Sequence, residues 1–311
     1  MPDSAVEGVE SHVAWIGRSI RRVEDFRFVT GRGQYTDDHR LDRELRCVFV
    51  RSPHSHARIR SINTAAAKDM PGVIAILTGA DYLADGCLPV DHLPNPADAI
   101  DVQKRAFTAQ GGRPVLELKQ WPLALDVARY IGEPLAVVIA TTADLAQDAA
   151  ELVAVEYEPL PTAMAIAQAI ATDAPQIWAE IPGNKCLTYD AGDAEAVDRA
   201  FAEASNIVRH TFVTNRIVNC QLEPRSAIGT FDPGSGDYCL ISGNQGVTKL
   251  QMSIAPALGT TKDKLRVVCP DVGGGFGPRT FMYIVSRWWC CGRRVASAIP
   301  FAGLARGPKR F

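Results

Sequence analysis

A chain of 311 residues with 47% hydrophobic and 22% charged residues has the make-up of a globular protein, with length for about two domains. Its 33 basic and 35 acidic residues give a formal charge of −2, and with 7% aromatics and no basic block nothing recommends nucleic acid as a partner. The longest apolar runs, such as 135–140, fall far short of the roughly 20 residues of a membrane span. The first ten residues carry Asp3, Glu7 and Glu10 in place of the basic start and apolar stretch of a secretory signal, so a cytoplasmic location is expected.

From about Arg22 to Pro161 short strand candidates alternate with one clear helix, which predicts an α+β domain. Strands are expected at 47–50 and 73–77. A helix is expected over 141–152, where Thr141 and Asp144 have capping-box spacing and Leu145, Ala149 and Leu152 repeat at i, i+4 and i+7. Residues 153–157 then read as a strand. Beyond Pro161 the chain loses periodicity and gathers Asp173, Pro175, Pro182, Gly183 and Asn184, as a linker would.

A second unit is expected from near Asp193. It opens with a helix that puts Val197, Phe201 and Ala204 on one face, followed by a strand at 207–213. The turn formers Asp232-Pro233-Gly234-Ser235-Gly236 predict a hairpin between 227–231 and 238–242. A strand-like run, 265–272, then delivers the chain into Gly273-Gly274-Gly275-Phe276-Gly277.

Four glycines in five residues let the backbone bring its N–H groups against an anionic ligand, a phosphate or a metal-bound oxygen; a flexible turn between strands is the plainer alternative. The spacing does not give G-x-G-x-x-G, no βαβ pattern is legible around it, and no Gly-Lys-Ser/Thr follows. Gln245 could offer its amide to a ligand oxygen, and otherwise is a turn residue. Glu223-Pro224-Arg225 reads as a structural ion pair at a domain edge.

His54 and His56 share one face of an extended segment, a geometry that can bind metal, but lack further ligands nearby; a structural role is preferred. Asp37 and Asp38 read as a solvated turn rather than a catalytic pair, and Glu133-Pro134 is likewise read as structural. Of the eight cysteines, none forms a C-x-x-C pair, so reduced thiols are expected and any iron–sulfur cluster should sit on another polypeptide.

Taken in order, the segments 30–38, 51–57, Pro71-Gly72-Val73, 130–134, 149–153, 157–161, Asn184, Gly192-Asp193, Glu223-Pro224-Arg225, Gln245 and the glycine loop resemble the molybdenum hydroxylase large subunit. This is the family of aerobic carbon monoxide dehydrogenase, xanthine dehydrogenase and aldehyde oxidase. The resemblance runs from about Trp15 to Tyr283. It implies an N-terminal arm (1–21), an a/b hammerhead domain (22–161), a linker (162–192) and a truncated molybdopterin-binding α+β domain (193–283).

The resemblance also implies that Gln245, Gly274, Gly275, Phe276 and Gly277 lie beside the molybdenum of a molybdopterin, as its cytosine dinucleotide. It implies an FAD-binding medium subunit and a 2Fe-2S small subunit as partners, in a dimer of heterotrimers. The reaction would be hydroxylation or oxidation of a small molecule with water-derived oxygen. The family's glutamate base lies nearer the carboxyl end of a full-length subunit, so no catalytic residue and no protein metal ligand is assigned, and the chain alone is expected to be inactive. A non-catalytic module that holds the flavin or iron–sulfur partners is the alternative, and a nucleotide-binding protein ranks below it. Where the family commonly has lysine two places after the loop, this chain has Arg279, preceded by Pro278.

The last segment, 284–311, has neither helical nor alternating periodicity. Shifting the codon frame so that each new codon takes one base from one residue and two from the next turns Trp288-Trp289-Cys290-Cys291 into Val-Val-Leu. Continuing in that frame can give Trp-Ala-Ala-Arg-Arg-Leu-Gly-Asp-Pro-Val-Arg-Trp, which is similar to the family's next segment. A frameshifted tail is therefore expected, with a divergent natural terminus as the alternative, and sequencing the encoding DNA decides between them.

Overall fold

A computed structural model describes residues 16–92, 108–109, 113–114, 118–186, 192–215, 217–280 and 301–304. The chain divides into two compact units, residues 1–34 and 35–311. Among its described residues the first holds one short helix, α1 (Asp25–Val29), steadied by an ion pair of 2.7 Å between Arg22 and Asp25.

In the second unit, β1 (Arg46–Arg51), β2 (Ala57–Asn63), α2 (Ala65–Lys68), β3 (Val73–Thr78), α3 (Gly79–Ala84) and β4 (Val90–His92) come first. Two-residue strands β5 (Thr108–Ala109) and β6 (Arg113–Pro114) pair with each other, and β7 (Leu118–Gln120) pairs with β4. β8 (Val127–Ala128), β9 (Pro134–Ala140), α4 (Ala143–Glu151), β10 (Ala154–Pro159) and α5 (Ile166–Ala169) follow. β9 lies between β1 and β3 in one antiparallel sheet, and β2 lies between β10 and β8 in another.

Every residue of β9 is buried because both faces of this central strand are covered. Its side chains alternate: Val138 and Ala140 meet Ala146 and Ala149 of α4, while Val137 and Ile139 enter a larger core. That explains why 135–140 reads as an unbroken apolar run. α4 starts one residue later than the capping-box spacing suggests, since Thr142, not Thr141, accepts the Leu145 amide at 3.2 Å.

The later elements are α6 (Ala194–Glu203), β11 (Ser226–Asp232), β12 (Asp237–Ile241), α7 (Val247–Ala257), β13 (Leu265–Val268) and β14 (Phe301–Leu304), with sheet order β13-β12-β11-β14. β11 and β12 form the expected hairpin, its turn fastened by the Asp232 carboxylate accepting from the Gly234 amide at 2.8 Å. β12 and β13 are parallel and joined through α7, so a βαβ unit does precede the glycine loop, contrary to the sequence reading. The helix went unread because it starts at Gly246 without a side-chain cap and carries Pro256 in its last turn.

The strand expected at 207–213 is not formed. Those residues join no ladder among the described residues, and Val208, Phe212 and Val213 stand 92%, 84% and 84% exposed. On α6, Val197 and Phe201 are likewise about half exposed, and Ala204 caps the helix rather than continuing it. Of the segment 284–311, residues 284–300 and 305–311 lie outside the described residues; β14 pairs antiparallel with β11.

One core ties the two halves of this unit together. Leu45, Cys47, Tyr82 and Leu123 pack with Ala227, Leu240, Leu250, Ile254 and Leu265. The Tyr82 hydroxyl donates to Leu88 O at 2.7 Å, and the Leu88 amide donates to Ala257 O at 3.0 Å, so two polar groups at this junction find partners across it.

Candidate functional site

The glycine loop leaves the end of β13 and is held from behind by side chains far away in sequence. Gln221 Nε2 donates to Gly275 O at 3.1 Å, and Asn219 Nδ2 donates to Phe276 O at 3.0 Å. In a planar trans peptide the N–H points opposite the carbonyl, so these bonds turn the amides of Phe276 and Gly277 away from Gln221 and Asn219. The Gly277 amide donates to Gln245 Oε1 at 2.9 Å. Among the described residues nothing accepts from the amides of Gly274, Gly275 and Phe276.

Gln245 is placed by two devices. Asn244 makes an Asx turn, its Oδ1 accepting from the Gly246 amide at 2.9 Å, and its Nδ2 donates to Ser242 O at 2.8 Å. The Gln245 amide itself donates to Arg279 O at 3.1 Å. With its Oε1 committed to Gly277, the side chain presents its NH₂ end as the donor left for a ligand.

Side-chain volume is excluded where the parts meet. A Cβ on Gly275 would lie 2.6 Å from Gln245 Cδ, and one on Gly273 would fall on Glu223. Phe276 has φ +51°, a left-handed conformation that a bulky residue adopts only under constraint, and its side chain is exposed.

The structure brings Gln245 against Gly275 and Gly277, and it adds Asn219 and Gln221, which sequence reasoning missed. Glu223 does form a buried ion pair, but with Arg279 at 3.0 Å, across the core rather than within its own triplet at an exposed edge. The two histidines take different partners: His54 packs against Tyr157 in a tilted contact with ring centroids 4.7 Å apart, and His56 Nδ1 bonds Pro161 O at 2.6 Å. Among the described residues no group of three or more metal-binding side chains occurs.

Asp37 and Asp38 sit in a short 3-10 turn, Thr36–Asp38, where Asp38 accepts the Tyr35 amide at 2.9 Å. Glu133 is buried, and burial pushes its carboxyl above the usual range, an effect the Arg129 amide and charge partly oppose.

Three successive amides without an acceptor among the described residues, beside the primary amide of Gln245 and glycines that leave the backbone uncovered, form a cradle for an oxygen-rich, electron-rich group. The donor set fits the oxygen ligands of a metal-bearing cofactor. The architecture and this cradle together define an α+β cofactor-binding chain.

Comparison with known proteins agrees. The family model described as aldehyde oxidase and xanthine dehydrogenase, a/b hammerhead domain, matches residues 30–161, and the molybdopterin cofactor-binding domain matches residues 177–294. The chain is 32% identical over 280 residues to the carbon monoxide dehydrogenase large chain of Afipia carboxidovorans, covering 86% of this chain and 32% of the relative. It is 32% identical over 269 residues to the nicotine 6-hydroxylase large subunit of Paenarthrobacter nicotinovorans, covering 86% of this chain and 30% of that one.

Among solved structures, quinoline 2-oxidoreductase from Pseudomonas putida 86 matches with a TM-score of 0.80 and 30% identity, over 93% of this chain and 34% of that chain. A Cu,Mo-CO dehydrogenase matches at 0.78 and 29%, over 93% and 35%. The chain belongs to the molybdenum hydroxylase large-subunit family, with a hammerhead domain followed by a molybdopterin-binding domain. It spans about a third of the length of the curated relatives it matches.

Proposed function

We propose that this chain forms one wall of the molybdopterin pocket of a molybdenum hydroxylase, with Gln245, Gly274, Gly275, Phe276 and Gly277 facing the cofactor. The observation that carries this reading is the row of amides at 274–276, which have no acceptor among the described residues, beside a glutamine whose Oε1 is already engaged. The bound cofactor supplies the chemistry that oxidises or hydroxylates a small molecule, such as carbon monoxide, an aldehyde or an N-heterocycle, with oxygen from water.

This chain's residues bind and orient. The loop amides donate to cofactor oxygens and stabilise negative charge that builds there, and fixed dipoles of this kind act without reorganising. Neither the amides nor Gln245 can take a proton at neutral pH, so the isolated chain is expected to have little or no hydroxylase activity.

The proposal extends to the cytosine dinucleotide form of the cofactor, to FAD-binding and 2Fe-2S partner subunits in a dimer of heterotrimers, and to a cytoplasmic location. Its support is the family, one of whose members is named as a subunit of a dehydrogenase complex, and the need of a two-electron oxidation for an electron exit. No helix among the described residues is long and apolar enough to cross a membrane.

The test is to purify the chain from cells that make the cofactor and measure molybdenum by plasma mass spectrometry and pterin by fluorescence after oxidation. Both are expected in the parent, and Gln245→Leu should retain several-fold less. Folded parent chain without either would overturn the reading. If flavin and iron–sulfur partners co-purify with that cofactor-free chain, the assembly-module reading takes its place.

A further inference from the structure

We propose that Thr36, Glu223 and Arg279 are positioning residues that hold the glycine loop and Gln245 at a fixed separation, with Thr36 contributing this hold from the hammerhead domain. The proposal rests on the reading of that loop as the cofactor-facing one. Glu223 grips the loop's first residue twice: its Oε2 accepts the Gly273 amide at 2.8 Å, and its own amide donates to Gly273 O at 3.3 Å. The same carboxylate oxygen meets Arg279 Nη2 at 3.0 Å, two residues beyond the loop's end.

Arg279 then reaches the Gln245 segment. Its Nη2 donates to Glu223 O at 2.7 Å, its Nη1 donates to Gly243 O at 3.2 Å, and its carbonyl accepts from the Gln245 amide at 3.1 Å. The guanidinium occupies the space a side chain at 243 would need, since a Cβ there would lie 2.5 Å from Nη1. On its other side Gly243 donates its amide to Thr36 Oγ1 at 3.0 Å, and Thr36 is fully buried. A chain of contacts therefore runs Thr36–Gly243–Arg279–Glu223–Gly273, with its two ends in the two matched domains.

The chemistry suits fixing geometry more than adding stability. A buried ion pair seldom outweighs the desolvation of its charges, whereas a planar guanidinium can bond several acceptors at once in set directions. Lysine offers a point charge that cannot reproduce the fork joining Glu223 to Gly243.

The test uses the 311-residue chain and four variants: Thr36→Val, Arg279→Lys, Arg279→Met and Glu223→Gln. Hydrogen exchange is read at the amides of Gly243, Gln245, Gly273 and Gly277, with β9 as internal reference, alongside molybdenum per chain. The expected result for Thr36→Val is exchange at Gln245, Gly273 and Gly277 roughly fivefold to tenfold faster with β9 unchanged, the effect of one lost buried hydrogen bond. Arg279→Lys should restore part of the protection lost in Arg279→Met, and molybdenum content should follow the same order. Unchanged loop exchange in Thr36→Val and Arg279→Lys would overturn the proposal, as would an equal rise across β9, which marks a merely structural role. Should Glu223→Gln fail to fold, these two variants decide. A parent chain without molybdenum counts against the functional reading, while the exchange data still decide the positioning role.

Discussion

Phe276 carries a conformation that costs of order 1–3 kcal/mol and persists only where the surroundings enforce it. Here enforcement comes from Asn219 on its carbonyl and Gln245 on the next amide. The glycines were legible because steric demands are written locally, and Gln245 was singled out only through the resemblance of the ordered segments around it. Asn219 and Gln221 were not, since their bonds cross 57 and 54 residues and leave no spacing to detect. Glu133 is a second residue whose role depends on burial. Its carboxyl would titrate near 4.5 when unfolded and higher when folded, so it subtracts stability as pH rises from about 4.5 through the folded value. Glu133→Gln should flatten that decline, with urea midpoints at pH 7 equal to or above the parent's. An undiminished decline in the variant would assign the titration to another group.

Among elements, α4 was legible as a helix, but its face was only partly so: of the expected Leu145, Ala149 and Leu152, Ala149 is buried, Leu152 stands exposed, and Ala146 takes the other buried place against Val138 and Ala140. Its start slipped by one residue, since two threonines stand side by side and only the backbone decides which caps. Thr142→Ala should cost about 0.5–2 kcal/mol in denaturant unfolding, and Thr141→Ala clearly less. Equal losses would refute the cap assignment. α7 stayed hidden although Leu250, Ile254 and Ala257 lie on its buried face, because glycine at its start and proline near its end both read as breakers. Residues 207–213 show the opposite failure: their apolar pattern suits a strand, but a strand exists only with a partner, and the described residues supply none.

At the scale of the molecule, that unpaired stretch matters. Val208, Phe212, Val213, Ile217 and Val218 form a run of exposed apolar side chains, larger than single surface hydrophobics account for. The chain should bind a hydrophobic dye such as anilinonaphthalene sulfonate and self-associate in light scattering. The combined variant Val208→Ser, Phe212→Ser, Val213→Ser should lower both with little change in Tm. A parent that is monodisperse and dye-silent would mean the stretch is covered in solution.

The sequence alone was enough for the α+β class, the family and the hairpin, because each is an ordered motif or a local periodic and turn requirement. Tertiary structure alone decided how the loop is aimed: which carbonyls Asn219 and Gln221 draw back, that Glu223 pairs with Arg279, and that Thr36 reaches Gly243. The physical reason is that a hydrogen bond or ion pair across a core depends on which surfaces folding brings together, and residues that meet only there need no recognisable spacing along the chain.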